Sequence, residues 1–281
     1  MNNVLTTYPF FELWKIDILL LIVFLGFIFS LVTKRVLILN PHLDGVSIKK
    51  RALFCSGLIL WAIAEGSPLS LIGHHYLFSV HMVQMTITYL MVPPLLIAGL
   101  PEWVFTYLFQ VSSIKKMVHF ATRPLLAILV FNSLFSIYHF PNVFDTLMAN
   151  PWAMDFYHIV LFITSIMMWF PIISNVQTGK ELSSLQKTGY IFAMGVLLTP
   201  ACALIIFAKD ILYQMYQHRS SITYLSYTPL YDQQLGGVIM KIGQEIIYGT
   251  VLLRIFIGWF KKDKLYSIDE LPAEDYRVPK G

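Results

Sequence analysis

The sequence predicts an all-α, polytopic membrane protein with seven transmembrane helices, and three observations predict it. Hydrophobic residues make up 57% of the 281 positions and charged residues only 13%, whereas soluble domains carry about a quarter charged residues. Apolar windows of about 20 residues, the length of helix that crosses a bilayer core, recur along nearly the whole chain. The basic residues between those windows fall unevenly on alternate connections, as they do in multi-pass proteins.

In chain order, the first span is predicted over residues 16–39. Its apolar run, 18–39, is too long for a signal peptide and lacks a small-residue cleavage site, so it reads as a retained helix. The second covers 51–65 and is interrupted by Gly66, Ser67 and Pro68. The third covers 76–98, with Pro93-Pro94 near its end. The fourth, 124–140, opens on Pro124 in a favourable first-turn position and closes before Pro141. The fifth, sixth and seventh are predicted over 152–173, 186–208 and 235–260. A single membrane domain thus fills residues 1–281, with a short tail over 261–281. Cys55 and Cys202 fall inside spans and read as buried small apolar residues.

Seven spans sort the Lys and Arg residues by side. Lys34, Arg35, Lys49, Lys50, Arg51, Lys115, Lys116, Arg123, Lys180 and Lys187 join the tail residues Lys261, Lys262, Lys264, Arg277 and Lys280 on one face, against Lys15, Lys209 and Arg219 on the other. By the positive-inside rule the N-terminus is outside and the C-terminus cytoplasmic. Topology therefore accounts for the net charge of +4, and no nucleic-acid surface is implied. Trp14, Trp103, Trp152, Trp169 and Trp259 lie near predicted interfaces, as an aromatic belt does.

On this topology six of the eight histidines lie in or above the outer half of the membrane: His74, His75, His81, His139, His158 and His218. His81, His139 and His158 sit on three consecutive spans at similar depth. His81 and Met85 form an i,i+4 pair on one helical face, and Met154 and His158 form another. Imidazole with thioether suits copper, above all Cu(I), since soft sulfur donors select it. For any one of these residues a packing or hydrogen-bonding role is the simpler reading; three histidines at one depth with two His/Met pairs favour a metal or haem site. Glu65, Asp145, Asp155, Asp232 and Gln233 fall in the same layer, where carboxylates can orient metal-bound imidazoles or cap helices. Deeper, Gln84 and Asn132 are expected to bridge helices, and Lys241 and Glu245 form an i,i+4 pair that can neutralise itself. There is no Ser/His/Asp set, no HExxH and no phosphate-binding glycine loop, which disfavours hydrolase and nucleotide-driven chemistry.

Three blocks carry a family resemblance over residues 51–260: GHHYLFSVHMVQM with VPPLLIAGLP, then YHFPNVFDTLMANPWAMDFYHIVLF with MMWFP, and YDQQLGGVIM. Together they resemble the CtaG family of bacterial cytochrome c oxidase assembly factors. The resemblance implies a non-enzymatic, seven-span protein of the bacterial cytoplasmic membrane that matures a haem-copper oxidase of the caa type. It also implies help in delivering copper to the CuB centre of the oxidase large subunit, with an extracytoplasmic copper chaperone as a further partner. Residue by residue, it assigns the family's motif positions to His81, His139, Asp145, His158, Asp232, Gln233 and Gln234. Many relatives carry a second histidine where this chain has Met85, and often a tryptophan where it has Lys241; a thioether at 85 keeps a donor on the same face and favours the reduced metal. The expected site is His81, Met85, His139, Met154 and His158 around Cu(I). The alternatives are a haem-binding or quinol-linked membrane redox protein, for which the cytoplasmic half supplies no intramembrane histidine, and a non-metal scaffold for subunit assembly.

Overall fold

The structure, a computed structural model, describes residues 8–43, 45–174, 182–217 and 228–269, with only the backbone for 262–269. Lys180, His218, Arg219, Arg277 and Lys280 lie outside the described residues. Every regular element among those described is a helix.

A short α1 (Phe10–Leu13) precedes α2 (Ile16–Leu39), whose flanks are exposed apolar side chains such as Val23, Phe24 and Phe27. Helix α3 (Ile48–Gly66) is capped by the Ser47 side chain on Lys50 N–H and breaks at Ser67. There the Ser67 hydroxyl accepts from Leu69 N–H, and Pro68 opens α4 (Pro68–His75) at a bend of 45°. Serine as cap with proline at the first helical position starts a new helix rather than continuing the old one. The predicted interruption at Gly66-Ser67-Pro68 is this bend.

The third predicted span comprises α5 (Phe78–Met85), a π-helical turn (Thr86–Met91) and α6 (Val92–Gly99). Pro93 and Pro94 have no N–H to give to the carbonyls four residues back, those of Tyr89 and Leu90, so the helix widens just upstream. The freed Tyr89 carbonyl accepts from the Ser165 hydroxyl and from Trp169 Nε1–H at 3.2 Å. Trp169 is accordingly fully buried, not part of an interfacial belt.

Helices α7 (Glu102–Leu108) and α8 (Ser112–Ala121) lead into α9 (Pro124–Tyr138). The latter is only 15 residues long and is bent 65° from α8. Then come α10 (Pro141–Met148), α11 (Pro151–Ile173), α12 (Ser184–Ile206, entered through a Ser183/Gln186 capping box), α13 (Gln214–Gln217) and α14 (Pro229–Asp269). Helix α14 runs past residue 260, where a tail was predicted to begin.

Among the described residues, four helices or helix runs are long and apolar enough to cross a membrane: Ile16–Leu39, Phe78–Gly99, Pro151–Ile173 and Ser184–Ile206. The bent pairs α3–α4 and α8–α9 raise that to six if each is one span. Helix α14, 41 residues long, is diluted by Lys241, Gln244, Glu245 and Arg254 and is not among them. The chain is thus an all-helical membrane protein with four to six candidate spans.

Its polarity is that of a protein in lipid. Glu65, His81, Gln84, Asn132, Asp232 and Gln244 are buried, while Leu125, Phe192, Ile246 and Leu253 are exposed, as expected where the solvent is hydrocarbon. Cys202 is buried, but Cys55 is exposed on α3 and does not fill the core as expected. The core joins aromatic and sulfur side chains, among them Phe78, Met85, Tyr89, Phe131, Tyr138 and Trp169.

Candidate functional site

Two close approaches build the site. Helix α4 passes α5 at Gly73, where a Cβ would sit 3.1 Å from the backbone N and Cα of His81. A larger residue would push the helices apart, and with them His74 from His81. On the other side, α14 reaches α5 through Gly236, whose added Cβ would lie 2.6 Å from Phe78 Cδ1. That proximity lets Asp232 cap α5 from a distant part of the chain. Its Oδ2 accepts from Phe78 N–H at 2.7 Å and Ser79 N–H at 3.4 Å, and its Oδ1 accepts from the Ser79 hydroxyl. Helix α5 has no cap of its own, so Asp232 satisfies donors that would otherwise be buried without acceptors. It thereby sets the start of the helix that carries His81.

The centre is the Tyr138 hydroxyl, fully buried at the end of α9. It lies 3.1 Å from His81 Nε2, 3.1 Å from His158 Nε2 and 3.5 Å from Met154 Sδ. The Met154/His158 pair therefore does converge from one face of α11, as its spacing predicts. A phenol has one hydrogen, so at least one imidazole donates its Nε2–H to Tyr138 and carries its lone pair on Nδ1. His81 Nδ1 is buried without a hydrogen-bond partner among the described residues.

A third imidazole, not among the five predicted donors, completes the cluster. The His74 ring centroid is 5.2 Å from that of His81 and 5.6 Å from that of His158, and the latter two are 6.3 Å apart. Three imidazoles bound to one ion through nitrogens at about 2 Å have centroids roughly 5 to 5.5 Å apart, so the rings already stand near that spacing. The nitrogens, however, are aimed at Tyr138 and Gln84, and among the described residues no group of three or more His, Cys, Asp or Glu side chains is arranged to hold a metal ion. The sequence signals for His74 were its place in GHH and its membership of the outer-half histidines. Its approach to His81 depends on the bend at Ser67 and on Gly73, which are tertiary features.

The remaining predicted residues are dispersed around this centre. His139 turns away behind Tyr138: its Nδ1 donates to the Phe135 carbonyl at 2.7 Å, its ring packs on Phe135, and its Nε2 is buried without a described partner. Its carbonyl accepts from Tyr213, whose phenol burial pushes up, with the Asp145 carboxylate adding to the shift. Met85 is buried one turn along α5 in the aromatic core, and no hydrogen bond to its sulfur occurs among the described residues. Glu65 accepts from Gln84 Nε2 and Thr88 Oγ1, both at 2.8 Å, so Gln84 does bridge helices. Asn132 bridges as well: its amide donates to the Ile128 carbonyl of its own helix and, across to α11, to Met168 Sδ at 3.8 Å.

Gln233 accepts from Leu212 N–H, and Asp145 accepts from Gln214 N–H. Both hold the segment before and within α13 rather than an imidazole. Lys241 pairs with Glu245 at 2.6 Å and donates to Thr199.

Two cavities open beside the cluster. One, of about 610 Å³, is lined by Glu65, His74, Tyr89, Asp155 and His158 at its polar end and by Trp61 and Phe162 on its apolar wall. The Tyr89 hydroxyl is buried without a described partner. The other, of about 200 Å³, touches His74, Met154 and Asp155. The polar groups gathered beside these cavities are imidazoles, a phenol and a thioether, with the Glu65 and Asp155 carboxylates on the larger cavity's lining.

No curated protein and no solved structure matches the chain. The family described as cytochrome c oxidase caa3 assembly factor (Caa3_CtaG) matches residues 28–262, from within α2 through most of α14, and the protein that builds this His/Met/Tyr centre belongs to that family.

Proposed function

We propose that this oxidase assembly factor carries Cu(I) for the CuB centre of the oxidase large subunit, holding the ion on His81, His158 and Met154 in exchange for their contacts with Tyr138. One observation carries this reading: a single hydroxyl sits within 3.5 Å of two imidazole nitrogens and a thioether sulfur, the donor set that selects Cu(I). The phenol stands where the ion would, at hydrogen-bond rather than coordination distance. Turning it aside, shifting the Nε2 hydrogen of the donating imidazole to its Nδ1 and drawing each donor in by about 1 Å makes a metal site. A site that must be assembled against existing hydrogen bonds is weak and exchangeable, which suits delivery rather than storage. Glu65, on the same cavity as His74 and His158, supplies the opposite charge.

In this reading α14 is the seventh span, with Lys241 neutralised by Glu245. The N-terminus lies outside, the C-terminus is cytoplasmic, and the copper site faces the outer side of a bacterial cytoplasmic membrane. There an extracytoplasmic copper chaperone is the donor.

The test is an anaerobic Cu(I) titration of detergent-purified protein against a competing chelator. Wild type is expected to take up about one Cu(I) per chain, and His81→Ala/His158→Ala to lose at least about tenfold in affinity. Unchanged affinity in the double variant would remove the site assignment.

A further inference from the structure

The smaller cavity contains a donor set that the family assignment does not cover. Three methionines from three different elements, Met148 at the end of α10, Met154 in the first turn of α11 and Met215 in α13, line one space of about 200 Å³ together with His74, His75 and Asp155. Met148 and Met215 are only half-buried and face a cavity open to the surface. Gap-filling methionines in apolar cores are enclosed, as Met82 and Met168 are here. Two of the lining residues belong to both places: Met154 reaches the Tyr138 hydroxyl, and His74 packs against His81 and His158. The charged lining is Glu12 and Asp155 against Lys15, so a cation meets net negative charge.

We propose that this methionine-lined cavity is an arrival site for Cu(I), from which the ion passes through Met154 and His74 to His81 and His158. The inference rests on the copper reading above and adds where the ion first lands. Thioethers select Cu(I) over harder divalent ions, and their weak, neutral binding lets the ion move on. Transfer is ligand exchange: copper stays Cu(I), no electron moves, and neutral imidazoles replace thioethers without a net proton. Because Met154 serves both positions, the chain holds one ion at a time.

The experiment compares loading with affinity. Anaerobic stopped-flow measures Cu(I) transfer from a Cu(I)–bicinchoninate complex to the full-length protein, and equilibrium competition measures affinity, for wild type, Met148→Leu/Met215→Leu and His81→Ala/His158→Ala. The methionine variant is expected to load about tenfold more slowly with affinity changed less than about threefold. X-ray absorption of the histidine variant with Cu(I) added is expected to show a sulfur-dominated shell. Wild-type loading by the methionine variant overturns the arrival site and leaves the inner site standing. Wild-type affinity in the histidine variant overturns the inner site instead. Should the double methionine variant fail to fold, Met215→Leu alone, on the short α13, carries the same loading test with the same two outcomes.

Discussion

Tyr138 is the residue on which the centre turns. Its hydroxyl holds two imidazoles and a thioether from α5 and α11 against α9. Tyr138→Phe leaves buried ring nitrogens without partners, which costs about 1–3 kcal/mol, yet takes no donor from the proposed metal site. Thermal melting of the metal-free protein in detergent is therefore expected to fall while Cu(I) affinity, measured by chelator competition, is held or raised. Loss of affinity along with stability would show that the phenol is itself a ligand. The i,i+4 spacing of Met154 and His158 was readable from the chain because helical geometry alone aligns them. Tyr138 was not, since a tyrosine beside His139 reads as an interfacial aromatic until α9 is seen to end against α5 and α11.

Helix α5 is short, bounded by an uncapped start at Leu77 and the π turn at Thr86. Its position depends on other elements. Asp232 supplies the cap across 154 residues of sequence, and Pro93 imposes the wide turn that hands the Tyr89 carbonyl to Ser165 and Trp169. Asp232→Ala leaves Phe78 N–H and the Ser79 hydroxyl buried without their acceptor. It is expected to destabilise by about 1–3 kcal/mol and to lower Cu(I) affinity by loosening His81. Asp232→Asn, which keeps one acceptor, should recover part of both. Equal losses in the two variants, read by thermal melting and chelator competition, would point to the charge rather than the cap. The DQQLGG block was visible as a pattern. That its aspartate caps another helix while Gln233 and Gln234 hold the Ala208–Leu212 connection is a tertiary fact.

At the scale of the whole molecule, buried polar groups with exposed apolar flanks indicate lipid as the solvent. In the proposed seven-span arrangement, the fifteen-to-three division of basic residues puts the C-terminus in the cytoplasm by the positive-inside rule. Reporter fusions are expected to be cytoplasmic after residues 43 and 261 and extracytoplasmic after residue 210; a cytoplasmic reporter at residue 210 would break the seven-span arrangement. Length and apolarity alone license four to six spans, because α3 and α9 reach span length only with their bent neighbours and α14 carries an ion pair in its middle.

By itself the sequence determined the helical class, the membrane setting, the family and the i,i+4 alignment of Met154 with His158. These follow from local periodicity, composition and short motifs, which act within a few turns of chain. Only the tertiary structure decided which donors meet: His74 joined through a bend and a glycine, His139 turned behind Tyr138, Met85 stayed in the aromatic core, and Met148 and Met215 came together beside Met154. Those outcomes depend on helix crossings that bury large side chains across long sequence separations, and no local pattern encodes where two helices will touch.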